Sequence, residues 1–205
     1  MSRNTKEKIM ETALILFSQK GYLGTSMNDI ASEVGITKGA LYKHYESKQA
    51  ILEAIIKEME RLDAEWAEKY GMPAENVYEG TDGLISPEAI RGFSMSQFRR
   101  WTEDTFSSQF RKMLTLEQYR NDFMSRLYQD YLSIGPAHYM AMIFCAMGAS
   151  EDEALRLAVE FYGPMYFLYS AYDCSNDEEE AIRMLGAHID EFFEKNLKEA
   201  KLKWK

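Results

Sequence analysis

Apolar residues recur along this chain with the period of about 3.6 that marks helices, and no convincing strand alternation appears. Ile9, Ala13, Leu16 and Phe17 share one face and predict a helix over Thr5–Lys20, ended by Gly21. A second helix is expected over Met27–Val34, with Thr25 or Ser26 as N-cap and Asp29 in its first turn. A third starts at Thr37. A fourth begins near Ser47, runs toward Tyr70, and carries Ile51, Leu52, Ile55, Ile56 and Met59 on one side. Residues 71–86, with Gly71, Pro73, Gly80 and Gly83, read as a loop. Helical patterns resume over 87–104, 105–120 and 123–134. Gly135-Pro136 is expected to break the chain, and helices follow over 137–147, 151–172 and 177–198. Gly163-Pro164 should kink the penultimate helix. The chain therefore reads as all-α, with about nine helices.

Residues 25–45 meet the steric demands of two short helices crossing steeply. Ala31 is small where the helices nearly touch, and Gly35 can take the positive φ of the turn. Ile30, Val34, Ile36 and Leu41 fill the space between, and Thr37 can cap the second helix. An ordinary helical hairpin that happens to carry Gly35 is the plainer alternative. The outer face offers Lys38, Gly39, Tyr42 and Lys43, followed by His44 and Lys48. Lys38 can donate to guanine in a major groove, His44 and Lys48 can donate to phosphates, and Gly39 would let the backbone approach. Tyr45 continues the Leu41 stripe and is expected inside.

A net charge of −9 argues against nucleic acid until its distribution is considered. Residues 1–50 hold seven Lys/Arg and five Asp/Glu, a balance of +2, and the remainder holds 17 against 28, a balance of −11. Contact with DNA belongs to this mildly basic head.

The stretch from Gly21 to Ile55 resembles the DNA-binding head of the TetR family of bacterial repressors. The marks are Thr25 and Ser26, Ile30-Ala31, Val34-Gly35-Ile36, Thr37-Lys38-Gly39, Leu41-Tyr42, His44-Tyr45 and Ser47-Lys48. Tyr45 stands where phenylalanine is often found, and Lys43 where a second aromatic is common. The resemblance covers about the first 55 residues. It implies a helix-turn-helix domain over 1–46 that contacts DNA through Thr25, Ser26, Thr37, Lys38, Gly39, Tyr42, Lys43, His44 and Lys48. It further implies a ligand-binding and dimerisation domain over 47–205. The partners implied are a palindromic double-stranded DNA operator, a second copy of the chain, and a small molecule that releases the repressor.

In the body, Leu155, Ala158, Val159, Tyr162, Tyr166 and Tyr169 form one stripe, and Ile182, Leu185, Ile189, Phe192 and Phe193 another. Both are ordinary core by default. The resemblance makes part of each an interface, with Tyr169 and Phe192 as the positions to test. Residues 93–147 are rich in aromatics and methionine, which suit an adaptable pocket. Phe98, Trp101, Phe110, Tyr128 and Phe144 are the expected ligand contacts. The expected ligand is apolar or aromatic, or cationic to suit the acidic body.

No run reaches the roughly 18 to 20 apolar residues of a membrane span, and no apolar leader opens the chain, so the cytoplasm is the expected compartment. Cys145 and Cys174 read as reduced thiols unless the fold brings them together. His44, His138 and His188 are scattered, and neither a phosphate loop nor a nucleophile elbow is present. No cofactor, metal or enzymatic activity is expected. The rivals are an architectural DNA-binding protein without a ligand and, more remotely, a helical enzyme with a borrowed head.

Overall fold

The structure, a computed structural model, describes residues 5–72, 85–174, 177–199 and 202. Pro73, Gly80 and Gly83 of the expected loop lie outside the described residues. Ten helices are present among the described residues: α1 (Thr5–Lys20), α2 (Met27–Val34), α3 (Lys38–Tyr42), α4 (Lys48–Lys69), α5 (Pro87–Glu103), α6 (Thr105–Glu117), α7 (Asp122–Leu132), α8 (Ile134–Ala146), α9 (Glu151–Cys174) and α10 (Glu178–Lys198). The expected number was about nine. Single residues separate α5 from α6 and α7 from α8, so these breaks need no loop.

Asp104 makes the first of them. Its backbone is extended and its side chain accepts from the Ser107 N–H at 2.8 Å, which caps α6. Ser133 makes the second, at φ −135° and ψ −106°. The break expected at Gly135-Pro136 is therefore displaced. Both residues lie in the first turn of α8, where proline's missing N–H has no helical partner to lose. A Cβ at Gly135 would run into the Asp130 carbonyl, so glycine permits this close junction. Pro164 lies within α9, which continues through it.

The chain divides into two compact units, Met1–Glu65 with Asp104–Tyr128, and Trp66–Glu103 with Gln129–Lys205. Residues 46 and 47 both lie within the first of these units, just before α4. In that unit α1 packs against both α2 and α6. Its buried side chains include Ile9, Ala13, Leu16 and Phe17 as expected, with Leu14 added, and α6 contributes Phe110, Met113 and Leu114.

In the second unit α9 packs between α8 and α10, and α5 packs on α9 and α10. The core centres on Phe144, Phe161, Phe192 and Phe193, whose rings meet mostly edge to face at centroid distances of 5.1–6.5 Å. The buried face of α9 is Ala154, Leu157, Ala158, Phe161, Met165, Leu168 and Tyr172. This is a different phase from the expected stripe. Leu155 and Val159 turn outward, and Tyr169 stacks on Phe98 at 4.9 Å inside the unit. Phe192 is thus a core position, which corrects its assignment as an interface test, whereas Tyr169 is half-buried against that core. The exposed apolar set is Leu155 (38%), Val159 (54%) and Phe167 (66%) on α9, with Met184 (48%) on α10. Cys145 is half-buried and Cys174 exposed, and both are free thiols.

Candidate nucleic-acid interface

The head is assembled by local signals that can be followed atom by atom. Ser26 caps α2 by accepting from the Asp29 N–H, and the Asp29 carboxylate returns to the Ser26 N–H at 2.8 Å. This reciprocal box satisfies donors that a helix start leaves open. Gly35, at φ +81°, ends α2 in the left-handed conformation and donates to the Ala31 and Ser32 carbonyls. Lys8 Nζ donates to the Val34 carbonyl at the same end. Thr37 caps α3 by accepting from the Ala40 N–H at 3.2 Å. Ile30, Ala31, Val34 and Leu41 are buried between the helices, with Ile36 half-buried. Tyr45 is inside and donates its hydroxyl to the Lys6 carbonyl.

The opposite face is open. Thr37, Lys38, Gly39, Tyr42, Lys43 and His44 are all exposed, and Lys38 Nζ lies 5.9 Å from the Tyr42 ring centroid. Gly39 is informative here. A Cβ at this position would meet nothing within 4 Å. Glycine inside a helix costs about 1 kcal/mol relative to alanine, and here no packing or φ requirement accounts for it.

Two expected contacts sit elsewhere. Thr25 is 1% exposed, and its hydroxyl donates to the Leu16 and Gly21 carbonyls, so it belongs to the head's interior. Lys48 is half-buried. Its ammonium donates to the Thr25 carbonyl at 2.7 Å and to the Tyr22 carbonyl, and lies 4.3 Å from the Tyr22 ring centroid. Desolvation lowers its pKa, while Glu117 and Asp29 pull the other way. Lys48 thus clamps the turn between α1 and α2.

Glu117, which sequence reasoning passed over, completes that clamp from α6. It is buried, and its Oε1 accepts from the Tyr22 N–H at 3.1 Å. A Cβ at Gly21 would lie 2.5 Å from the same oxygen. Ser18 of α1 also donates to Gln109 of α6. The turn that leads into α2 is therefore held by a carboxylate 95 residues away in sequence.

The remaining expected contacts divide by unit. Phe110 and Tyr128 lie in the first, and Phe98, Trp101 and Phe144 in the second. Phe110 is fully buried, and burial raises the Tyr128 pKa. Phe98 and Phe144 pack within aromatic core, and Trp101 meets Tyr131 edge to face.

The family model described as "Bacterial regulatory proteins, tetR family" matches residues 9–55, the span of α1 to mid-α4. Over this head, and not beyond it, the chain matches the tetR family. The head is 50% identical over 52 residues to IcaR of Staphylococcus aureus, a negative transcriptional regulator of the icaADBC biofilm operon. It is 51% identical over 47 residues to the transcriptional regulator YerO of Bacillus subtilis. These matches span 25% and 23% of this chain, and only 28% and 16% of the relatives. Beyond the head, the likeness is one of fold. MexZ of Pseudomonas aeruginosa, a repressor responsible for antibiotic resistance, superposes with a TM-score of 0.63 over 93% of this chain and 96% of its own, at 20% identity. SmeT in complex with triclosan superposes with a TM-score of 0.67 over 94% and 91%, at 16% identity. The matched family and these relatives are regulators rather than enzymes. No helix among the described residues is long and apolar enough to cross a membrane.

The capping box of this head carries a pH dependence. Bonds from the Ser26 hydroxyl and N–H hold the Asp29 carboxyl below its ordinary value. A carboxyl depressed on folding stabilises the fold above its unfolded pKa, and that contribution fades as pH falls through the native value. Asp29→Asn should therefore flatten the loss of stability as pH falls below about 5. Thermal melts of both proteins across that window test it. Identical acid limbs would remove the carboxylate from the cap.

Proposed function

We propose that this chain is a homodimeric transcriptional repressor that binds a near-palindromic DNA operator and is released by a small molecule. The observation that carries the DNA-binding reading is the open face of α3, above all Gly39, whose missing side chain answers to no neighbour in the protein. Lys38 lies one residue before it and Tyr42 one helical turn after Lys38, so both share the face that would enter a major groove. Lys43 and His44 follow at its end and suit phosphates. Lys48 supports this surface through its backbone bonds, and Ser26 and Thr37 do so through their caps.

The exposed apolar set on α9 and α10 supports the dimer. Leu155, Val159 and Phe167 fall on one ridge of α9 at multiples of four residues. Two-fold pairing of such a ridge gives a self-complementary interface and two heads for two half-sites. Release by a small molecule is in keeping with SmeT, solved with triclosan.

Selection from a random duplex library, followed by fluorescence anisotropy on the recovered and scrambled sequences, tests the reading. Lys38→Ala should cost roughly 1–3 kcal/mol on the selected duplex and relax the preference at one base pair. Lys43→Ala should weaken both duplexes alike and flatten the salt dependence by about one unit of slope. Wild-type protein that binds selected and scrambled DNA equally would instead be an architectural binder.

A further inference from the structure

The polar atoms of the second unit that are sealed from solvent with no hydrogen-bond partner among the described residues include Trp66 Nε1, Ser94 Oγ and Gln97 Oε1. Interiors rarely leave such groups unpaired, because each forfeits its hydration without compensation. All three belong where the end of α4 meets α5. Ser94, Gln97 and Trp101 share a face of α5 at a spacing of three and then four residues. Trp66 is joined to that face by Arg100, whose guanidinium carbon lies 5.3 Å from the Trp66 ring centroid and 5.6 Å from that of Trp101. Just past the end of α4, Tyr70 packs its ring 6.2 Å from Phe93 and bonds the Ser96 hydroxyl.

The unmet groups are an indole donor, an amide acceptor, and a hydroxyl that can serve as either. Aromatic rings stand beside them. A single oxygen that accepts from Trp66 and donates to Gln97 would satisfy the first two, and a flat ring would suit the walls. A phenolic hydroxyl has both properties in one atom. We propose that this face of α4 and α5 binds a planar aromatic molecule bearing a phenolic hydroxyl. The proposal rests on the effector-responsive reading above and gives that effector its chemical class. It also replaces the cationic option drawn from net charge. Arg100 already lies over Trp66 and Trp101, and Lys69 Nζ lies 4.5 Å from the Trp66 centroid and 5.4 Å from that of Tyr70. The rings thus have their cations from the protein itself.

Calorimetric titration of the full chain with 2-naphthol, its methyl ether 2-methoxynaphthalene, and naphthalene tests the proposal. The ether accepts but cannot donate, so it should bind roughly tenfold or more weakly than 2-naphthol, and naphthalene more weakly still. Gln97→Leu should erase the preference for 2-naphthol over the ether. Ser94→Ala, a smaller change, should reduce the preference, and it serves as the second variant if Gln97→Leu does not fold. Three equal affinities would overturn the proposal by showing that ring burial alone holds the ligand. No binding of 2-naphthol would overturn it in favour of enclosed water on these atoms. An undiminished preference in folded variants would do the same. Binding to the selected DNA is a separate readout on the same protein. DNA binding without 2-naphthol binding sinks this site alone, and the reverse sinks the regulator reading alone.

Discussion

Phe167→Glu should leave the chain folded and convert it to a monomer that has lost most of its DNA affinity, whereas Phe192→Glu should unfold the second unit. The two aromatics lie on neighbouring helices and differ in what surrounds them. Phe167 is 66% exposed, so a carboxylate there remains solvated in a single copy of the chain. In a two-fold interface it would meet its own apolar ridge, and several kcal/mol of desolvation would oppose pairing, by the reasoning that an unpaired buried charge is strongly destabilising. Phe192 is enclosed by Phe144, Phe161 and Phe193. A charge among those rings has no partner, and the cost is expected to exceed about 4 kcal/mol, at the top of the range for single substitutions. For a monomer, loss of the tethered second head should lower operator affinity by about a hundredfold or more. Sedimentation, far-ultraviolet dichroism and anisotropy on the selected duplex separate these outcomes. A dimer that survives Phe167→Glu would move the interface off this ridge.

The second large effect is expected at Glu117. Glu117→Leu removes the acceptor of the Tyr22 N–H and the negative charge that favours the Lys48 ammonium. A buried donor left unmade costs about 1–3 kcal/mol, and a partly desolvated lysine adds to it. Because the Tyr22 and Thr25 carbonyls are held by Lys48, the loss should appear as a loosened turn before α2. DNA affinity should fall about tenfold or more, in line with that energy. Glu117→Gln keeps an acceptor for Tyr22 and should retain most of the affinity. Exchange of the Tyr22 amide should quicken in the leucine variant and stay slow in the glutamine variant. Equal affinities for all three proteins would reduce Glu117 to a packing residue.

Much of the head could be read from sequence because its signals are local. Ser26 and Asp29 are three residues apart, and Gly35 follows the last turn of α2, so capping alone fixes both ends. Lys38 and Gly39 could be assigned to an outer face because the inner face was already claimed by Ile30, Val34 and Leu41. The phase of α9 was harder, since Phe161, Met165 and Leu168 alternate with Tyr162, Tyr166 and Tyr169, and either set could face a core. The proline in the first turn of α8 looked like a break because a breaker and a helix start use the same residue. The clamp on Tyr22 was invisible for a different reason. Periodicity places apolar residues on faces, but it does not pair a polar atom with one far along the chain. Trp66, Ser94 and Gln97 escaped notice in the same way.

The division of the chain into interleaved stretches bears on how the protein is made. The first unit needs residues up to Tyr128, because α6 lies among its packing partners. A ribosome adds about 5–20 residues each second, so α1 waits several seconds for the helix that covers it. During that wait the apolar face made by Ile9, Ala13, Leu14 and Phe17 has only part of its eventual cover. The second unit begins at Trp66 but needs Gln129–Lys205, so its first stretch is synthesised long before its last. The first unit is completed only after the second has been started, and the second only with its last stretch. A nascent chain halted at residue 65 should therefore be a better chaperone client than one halted after 128, and a head expressed alone should carry α6 with it.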